Sequence, residues 1–302
     1  MRDPDRAAAK AVASWALLAV LAALVLVACV RLRLADVPLE RDEGEYAYAG
    51  QLILEGIPPY ALAYNMKFPG TYYAFALILV LFGKTPWGIH VGLMLVNAAA
   101  VLLVFAVGRR LLGDFSGAVA AVIYAILSLD RWVLGVFAHA THFVVLAVMT
   151  GLLLLLRALD DQRTSLFLWS GVFLGMAVLM KQHAIFFLPL GALLVIWSGT
   201  RGDVRATRAS ATRVGMMVLG AVIPLAATVL VLAAQGVLGR FWFWTIRYAS
   251  AYVTEVPRAR AWSNLTEGVK YVTTANLAFW ILGALGLAAL WIRRWATRAN
   301  VV

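Results

Sequence analysis

Long, almost uncharged apolar blocks recur along the chain, and they limit its possible folds more than any motif does. A helix needs about 20 consecutive apolar residues to cross the hydrocarbon core of a bilayer. Eight blocks meet or approach that length: 11–30, 87–108, 113–129, 135–156, 165–180, 184–199, 214–234 and 271–292. The third, fifth and sixth are short, so they tilt little or tuck among neighbours. The expected fold is all-α, a polytopic transmembrane helical bundle of about eight spans. Residues 1–302 form one module with no soluble domain to separate off.

Composition agrees. The 302 residues are 63% hydrophobic and 14% charged, with a mean hydropathy of +0.86. A soluble domain carries roughly a quarter charged residues, so the apolar excess is more than one water-soluble core hides. The net charge of +11 is no sign of nucleic-acid binding, because no basic face exists outside the loops between the apolar blocks. The only cysteine, Cys29, excludes an internal disulfide. It closes a Leu26-Val27-Ala28-Cys29 stretch similar to a lipoprotein cleavage box, which is read here as part of an uncleaved first span.

Orientation follows from the loops. Placing the N-terminus inside makes 1–10, 109–112, 157–164, 200–213 and 293–302 cytoplasmic. These pieces hold fourteen of the 26 Lys and Arg, including Arg2, Arg109, Arg110, Arg157, Arg163, Arg201, Arg213, Arg293, Arg294 and Arg298. That density puts both ends in the cytoplasm. Two long segments, 31–86 and 235–270, then face outward, and long connections in a compact protein are usually functional.

Residues 40–73 read ERDEGEYAYAGQLILEGIPPYALAYNMKFPGTYY. From Glu43 to Leu54 the pattern suits a short amphipathic helix. Tyr46, Gly50, Ile53 and Ile57 fall on one stripe; Tyr48, Gln51 and Glu55 fall on another. Such a helix, rich in tyrosine, lies flat at a membrane interface. Gly56 and Pro58-Pro59 stop it, and Lys67-Phe68-Pro69-Gly70 makes a turn before an interfacial or re-entrant stretch, 71–83. Asp42 has two readings: a helix N-cap whose capping box is completed by Glu45, or a catalytic carboxylate. Glu43 is a first-turn acid favoured by the helix dipole or a second acid of the site. Lys67 either snorkels at the interface or holds an anion.

Asp-Glu just after the first span, then Tyr46, a short helix and Lys-x-Pro before the next span resembles the membrane-embedded GT-C glycosyltransferases. The likeness is to the bacterial dolichyl-phosphate-mannose-protein mannosyltransferase-like family, which includes the aminoarabinose transferase of lipid A. Residues 97–113, NAAAVLLVFAVGRRLLG, are similar to that family's second span and cytoplasmic turn. Residues 171–189, GVFLGMAVLMKQHAIFFLP, are similar to a later pair of spans joined by Lys-Gln.

The resemblance implies inverting transfer of a sugar from a polyprenyl-phosphate carrier to a lipid, glycan or protein hydroxyl at the outer face of the cytoplasmic membrane. Asp42 would be the general base, its pKa lifted by partial burial. Glu43 would shape the site or act as a second acid, and Lys67 would hold the donor phosphate, whose departure calls for a cation rather than an acid. His90 is a second phosphate contact in this reading, and Arg247 a third, on the aromatic and arginine-rich stretch 239–262 that would wall the prenyl chain. Tyr46 and Lys181 are expected to line the site, Lys181 alternatively serving as a helix anchor with His183. His139 and His142, spaced i, i+3 on one helix face, line the site or hold a metal; two histidines without a nearby acid are weak as ligands, so no cofactor is expected, although a divalent cation is conceivable. Where related sequences carry an acidic group, this chain has these histidines. The family commonly continues with further spans or an outer domain, so a truncated product, a short member or one working with a partner is expected here.

Overall fold

The computed structural model describes residues 3–199, 204–255 and 257–291. Arg2, Arg201, Arg293, Arg294 and Arg298 of the loop-charge argument lie outside the described residues. Within the described residues all regular structure is helical. The helices are α1 (Asp3–Arg33), α2 (Arg41–Leu54), α3 (Gly70–Phe82), α4 (Pro86–Leu112), α5 (Asp114–Leu127), α6 (Ala140–Asp161), α7 (Thr164–Met180), α8 (Phe187–Gly199), α9 (Val204–Ala234), α10 (Leu238–Trp242), α11 (Ala249–Thr254), α12 (Arg258–Ala275) and α13 (Leu277–Trp291).

Four stretches are long and apolar enough to cross a membrane: Val12–Arg33, Pro86–Leu112, Ala140–Asp161 and Arg208–Ala234. The chain is therefore read as a membrane protein, with four candidate spans among the described residues, or five if the pair α12–α13 counts as one, against about eight expected. The difference has a physical cause. The helices α5, α7 and α8, at the expected spans 113–129, 165–180 and 184–199, have 14, 17 and 13 residues. At 1.5 Å per residue they reach about 20–26 Å, short of the ~30 Å core. The expected span 271–292 is not one straight helix. Asn276 leaves helical geometry at φ −128°, the chain turns by 96° there, and the Asn276 amide donates to the Asp130 carboxylate.

Ion pairs and polar contacts sort the helix ends. Arg109 meets Asp114 at 3.2 Å, Arg110 meets Asp160, and Arg213 donates to Gln162. These residues gather the connections 109–114, 157–164 and the start of the long span in α9 at one end of the bundle. The opposite end carries α2, the segment 55–69, the connection 128–139 and residues 181–186.

The bundle is held by close backbone approach. A Cβ at Gly171 would lie 1.9 Å from the Met217 carbonyl, one at Gly175 would lie 2.4 Å from the Ala221 carbonyl, and one at Gly220 would lie 2.0 Å from the Leu168 carbonyl. Gly171 and Gly175 form a small-xxx-small face on α7, the arrangement that lets helix backbones touch in lipid, where water gives no drive to association. On the other side of the molecule α2 lies on α3. Tyr46, Ala49 and Leu52 bury against Tyr72, Phe75 and Leu79, while Gln51 and Glu55 hydrogen-bond to each other at 2.9 Å on the exposed face. Of the expected apolar stripe, Tyr46 and Gly50 are buried and Ile53 and Ile57 partly so, with Ala49 and Leu52 completing the face; Tyr48, Gln51 and Glu55 are exposed as the periodicity predicts.

Candidate functional site

The site begins with how α2 starts. Glu40 sits in extended backbone, φ −68° and ψ 160°, and its carboxylate accepts from the Asp42 N–H at 2.7 Å; the Glu40 N–H donates to Glu43 at 3.1 Å. The capping box is thus Glu40 with Glu43, and the reading of Asp42 as the cap completed by Glu45 is corrected. The chain enters the helix two residues earlier than expected. Both Asp42 and Glu45 are consequently released from capping.

Glu43 is fully buried, at 0% exposure. It accepts from the Ala138 N–H and the Glu40 N–H and faces His90 Nε2 at 3.3 Å. His90 Nδ1 lies 2.8 Å from the Ala35 carbonyl. A carbonyl only accepts, so Nδ1 carries a proton, and a second proton must lie between His90 Nε2 and Glu43. The pair is a buried, proton-sharing joint between α2 and α4. The connection 128–139 is drawn onto it from the other side: the buried Arg31 guanidinium donates to the Ser128 carbonyl at 2.8 Å and to the Gly135 carbonyl at 3.0 Å. A carboxylate and a backbone clamp therefore fix Ala138, and with it the next residue, His139.

Asp42 points the other way. Its Oδ2 meets Lys67 Nζ at 3.1 Å, and its Oδ1 meets the exposed Arg41 at 3.3 Å. Lys67 also reaches Glu45 at 3.4 Å and lies 4.6 Å above the Tyr46 ring. Glu45 is in turn held by Asn65 at 2.6 Å and the Tyr72 hydroxyl at 3.2 Å. The Lys67 backbone is fixed by the Tyr60 hydroxyl, which donates to its carbonyl at 2.8 Å, and Gln182 donates to the neighbouring Met66 carbonyl at 2.6 Å. Burial on its own raises the Asp42 carboxyl, but the bonded Lys67 ammonium, with Arg41 and His139, brings it below its ordinary value. The expected lift is corrected: partial burial is present, and the cation beside it wins. Burial works against the Lys67 charge, yet Tyr46, Glu45 and Asp42 hold the ammonium above its ordinary value.

These groups wall a cavity of about 490 Å³ at the end of the bundle. Asp42, Tyr46, Lys67, His139 and Lys181 line it, as the sequence leads one to expect, together with His183 and Gln182. Asp42 is its one carboxylate among the described residues. The rest of the wall is largely apolar: Trp132, Val133, Leu134, Ala140, Met180 and Ala249. A second, more apolar groove of about 270 Å³ shares Thr141, Lys181 and His183 with it and continues along Val144, Ala184 and Phe187. His139 Nε2 lies 3.5 Å from Glu40 and its Nδ1 3.9 Å from Asp42 Oδ2.

Four residues singled out in the sequence stand elsewhere. Glu43 and His90 are behind the wall, bonded to each other, so neither faces the opening. His142 is buried one turn along α6 and does not line the cavity. Arg247 is exposed on the π-helical turn Phe243–Tyr248 and is absent from the lining, which takes Ala249 from that region instead. The aromatic stretch does come to the segment 55–69: Trp244 stacks on Tyr64 with centroids 4.3 Å apart, and Phe241 meets Tyr60 and Phe68. Arg240, not Arg247, ties the two segments by donating to the Ala61 carbonyl at 3.1 Å.

Glu40 was the functional residue most open to discovery, since Glu at N-cap with Glu three residues on has capping-box spacing. Arg31 and Ala138 left no local signal, and Gln182 only the Lys-Gln pair of the resemblance; their partners are 97, 95 and 116 residues away in sequence. Among the described residues no group of three or more His, Cys, Asp or Glu side chains is placed to hold a metal ion.

No curated protein and no solved structure matches the chain. A family model does, over residues 66–227, more than half of the chain. The matched stretch contains Lys67, His90, His139, His142 and Lys181 and begins after the helix that bears Asp42. By that match, the chain belongs to the dolichyl-phosphate-mannose-protein mannosyltransferase family.

Proposed function

We propose that the chain transfers a sugar from a polyprenyl-phosphate-linked donor to an acceptor hydroxyl, with inversion at the anomeric carbon, at the outer face of the cytoplasmic membrane. Membership of the family implies glycosyl transfer from such a donor. The observation that carries the finer reading is the pairing of Asp42 and Lys67, 25 residues apart in sequence and 3.1 Å apart in space, on the wall of one cavity.

A phosphate leaving group needs positive charge to stabilise it and no proton. Lys67 supplies that charge, with Lys181 across the same cavity. The acceptor hydroxyl needs a base, and Asp42 is ionised at neutral pH because the neighbouring lysine keeps it so. A single carboxylate suits a direct displacement, in which the acceptor oxygen enters on the face opposite the departing phosphate. Retention needs a second group to act as nucleophile. The apolar part of the cavity and the groove along Val144 and Phe187 suit a prenyl chain. Glu43 and His90 act as support for the wall in this reading, and Arg247 as a residue at its margin.

The outer-face assignment rests on the loop charges, which put residues 31–86 opposite the arginine-rich connections. Two measurements test the proposal. The anomeric configuration of the first product, read by NMR, is expected to be opposite to that of the donor; retention contradicts the single-base mechanism. In a Cys29→Ser background, Leu62→Cys is expected to react with a membrane-impermeant thiol reagent in intact cells and Arg163→Cys only after lysis; the reverse pattern places the cavity on the cytoplasmic side.

A further inference from the structure

The helix pair α12–α13 carries an apolar surface that the transfer reaction does not use. We infer that α12 lies in the plane of the membrane interface with its apolar stripe on bilayer lipid, and that a lipid acyl chain fills the groove it forms with α13. This goes beyond the transfer reading and does not depend on it.

The sequence of α12 divides by helical period. Trp262, Leu265, Val269 and Val272 follow i, i+3, i+7 and i+10 and make one stripe; Arg260, Ser263, Glu267, Lys270 and Thr274 make the opposite one. Trp262 is 68% exposed, and Leu265 and Val269 are each 55% exposed, so the described residues leave the apolar stripe open. The hydroxyls on its flank turn inward: Thr266 donates to the Trp262 carbonyl at 3.1 Å and Thr273 to the Val269 carbonyl at 2.7 Å, so they add no unpaired donor to the stripe. A helix half apolar and half charged suits neither hydrocarbon nor water throughout, and the boundary between them satisfies both faces.

The shape of the pair places that boundary. The α13 helix, LAFWILGALGLAALW, has no charged residue, and Trp280, Ile281, Leu282, Leu285 and Leu287 are all exposed on it, a surface fit for hydrocarbon. The α12 axis leaves α13 at 96°, so when α13 runs into the bilayer α12 runs along its surface. A groove of about 580 Å³ lies between the two arms, lined by Leu265, Gly268, Val269 and Val272 of α12 and by Trp280 of α13. The apolar stripe therefore faces the side on which α13 extends, and the charged stripe faces away from it. The groove is continuous with the apolar surface of α13, and a Cβ at Gly268 would meet nothing within 4 Å, which leaves room for a chain.

The corner is tied to the cavity wall. Asn276 donates to one oxygen of Asp130, whose other oxygen accepts from the Trp132 N–H at 2.8 Å. Tyr271 meets the Trp132 ring edge-on, with centroids 4.5 Å apart, and Trp132 lines the cavity. The depth of α12 thus sets the level of that wall at the edge of the bilayer.

The test uses the full chain in a Cys29→Ser background, in vesicles of phosphatidylethanolamine and phosphatidylglycerol that contain no polyprenyl carrier. Nitroxide labels are placed by Leu265→Cys, Val269→Cys and Val272→Cys on one stripe and by Ser263→Cys, Glu267→Cys and Lys270→Cys on the other. Depth is read from collision with oxygen, which concentrates in lipid, and with a nickel chelate, which stays in water. The first three labels are expected about 5–10 Å below the headgroup boundary and the other three in water, with no change when the protein is diluted in lipid. Six labels in water, or a depth that grows steadily from 263 to 272 as in a crossing helix, overturns the inference. It is equally overturned if the apolar stripe is screened from both reagents until dilution separates two copies, or enters an apolar setting only after polyprenyl phosphate is added. None of these readings involves sugar transfer, so an inactive chain with the expected depths overturns the transfer reading alone.

Discussion

At the scale of single residues, the site works by dividing three neighbouring acids among three tasks. Glu40 caps the helix, Glu43 joins helices, and Asp42 is left to face the cavity. The Asp42 carboxyl is depressed in the fold, so the stabilisation from its ion pair is fully present above the ordinary aspartate value near 3.9 and is lost as pH falls through the lower folded value. Lys67 is raised, so its share is fully present below the ordinary lysine value of about 10.4 and is lost as pH climbs through the folded one. Lys67→Gln removes the cation and leaves the burial. The acid limb of transfer should then move to higher pH, and KM for the donor should rise about 10- to 100-fold, the scale of one charge-assisted hydrogen bond; an unmoved limb contradicts the pairing. Glu43→Gln should behave differently. It strips the partner from a buried charge pair, which costs about 3–5 kcal/mol, and should appear as a lower melting temperature in detergent. That Asp42 and Lys67 meet on one cavity wall was legible in the sequence because both stand in one short segment between apolar blocks. The allotment of roles was not, because a shift of two residues in the helix start decides which acid caps and which is free.

At the scale of elements, position comes from backbone contact. The α7–α9 contact depends on glycines whose missing side chains let carbonyls approach within 1.9–2.4 Å of where a Cβ would stand. Gly171→Ala should force these helices apart and cost about 1–3 kcal/mol. Gly215→Ala, on α9 with nothing within 4 Å of its Cβ position, should be neutral or slightly stabilising. Thermal unfolding of the two variants in the same detergent checks the contrast; equal losses contradict the contact. Hydropathy located these helices well, and where it misled, the reason was geometric. Apolar blocks such as 165–180 are rich enough for lipid yet too short to reach across it unaided, and 271–292 contains Asn276, whose bend and bond to Asp130 no hydropathy average registers. The connection 128–139 carries no motif at all. Its shape is set by Arg31 and Glu43 from distant parts of the chain, which is why His139 could be suspected as a lining residue but not paired with Glu40 and Asp42 from sequence.

At the scale of the whole molecule, arginine-rich connections pair at one end and the acid–lysine cavity opens at the other, with apolar helices between. That polarity suits a reaction in which an oily carrier delivers a phosphate head to a polar pocket at the edge of the bilayer. The central claim is that Asp42 removes the proton of the acceptor there. It is tested most directly by Asp42→Asn in vesicles supplied with polyprenyl-phosphate mannose, with donor binding measured alongside. The account predicts transfer reduced about 100-fold or more, with donor binding and unfolding temperature retained; transfer at the parental rate by a folded Asp42→Asn protein would contradict it.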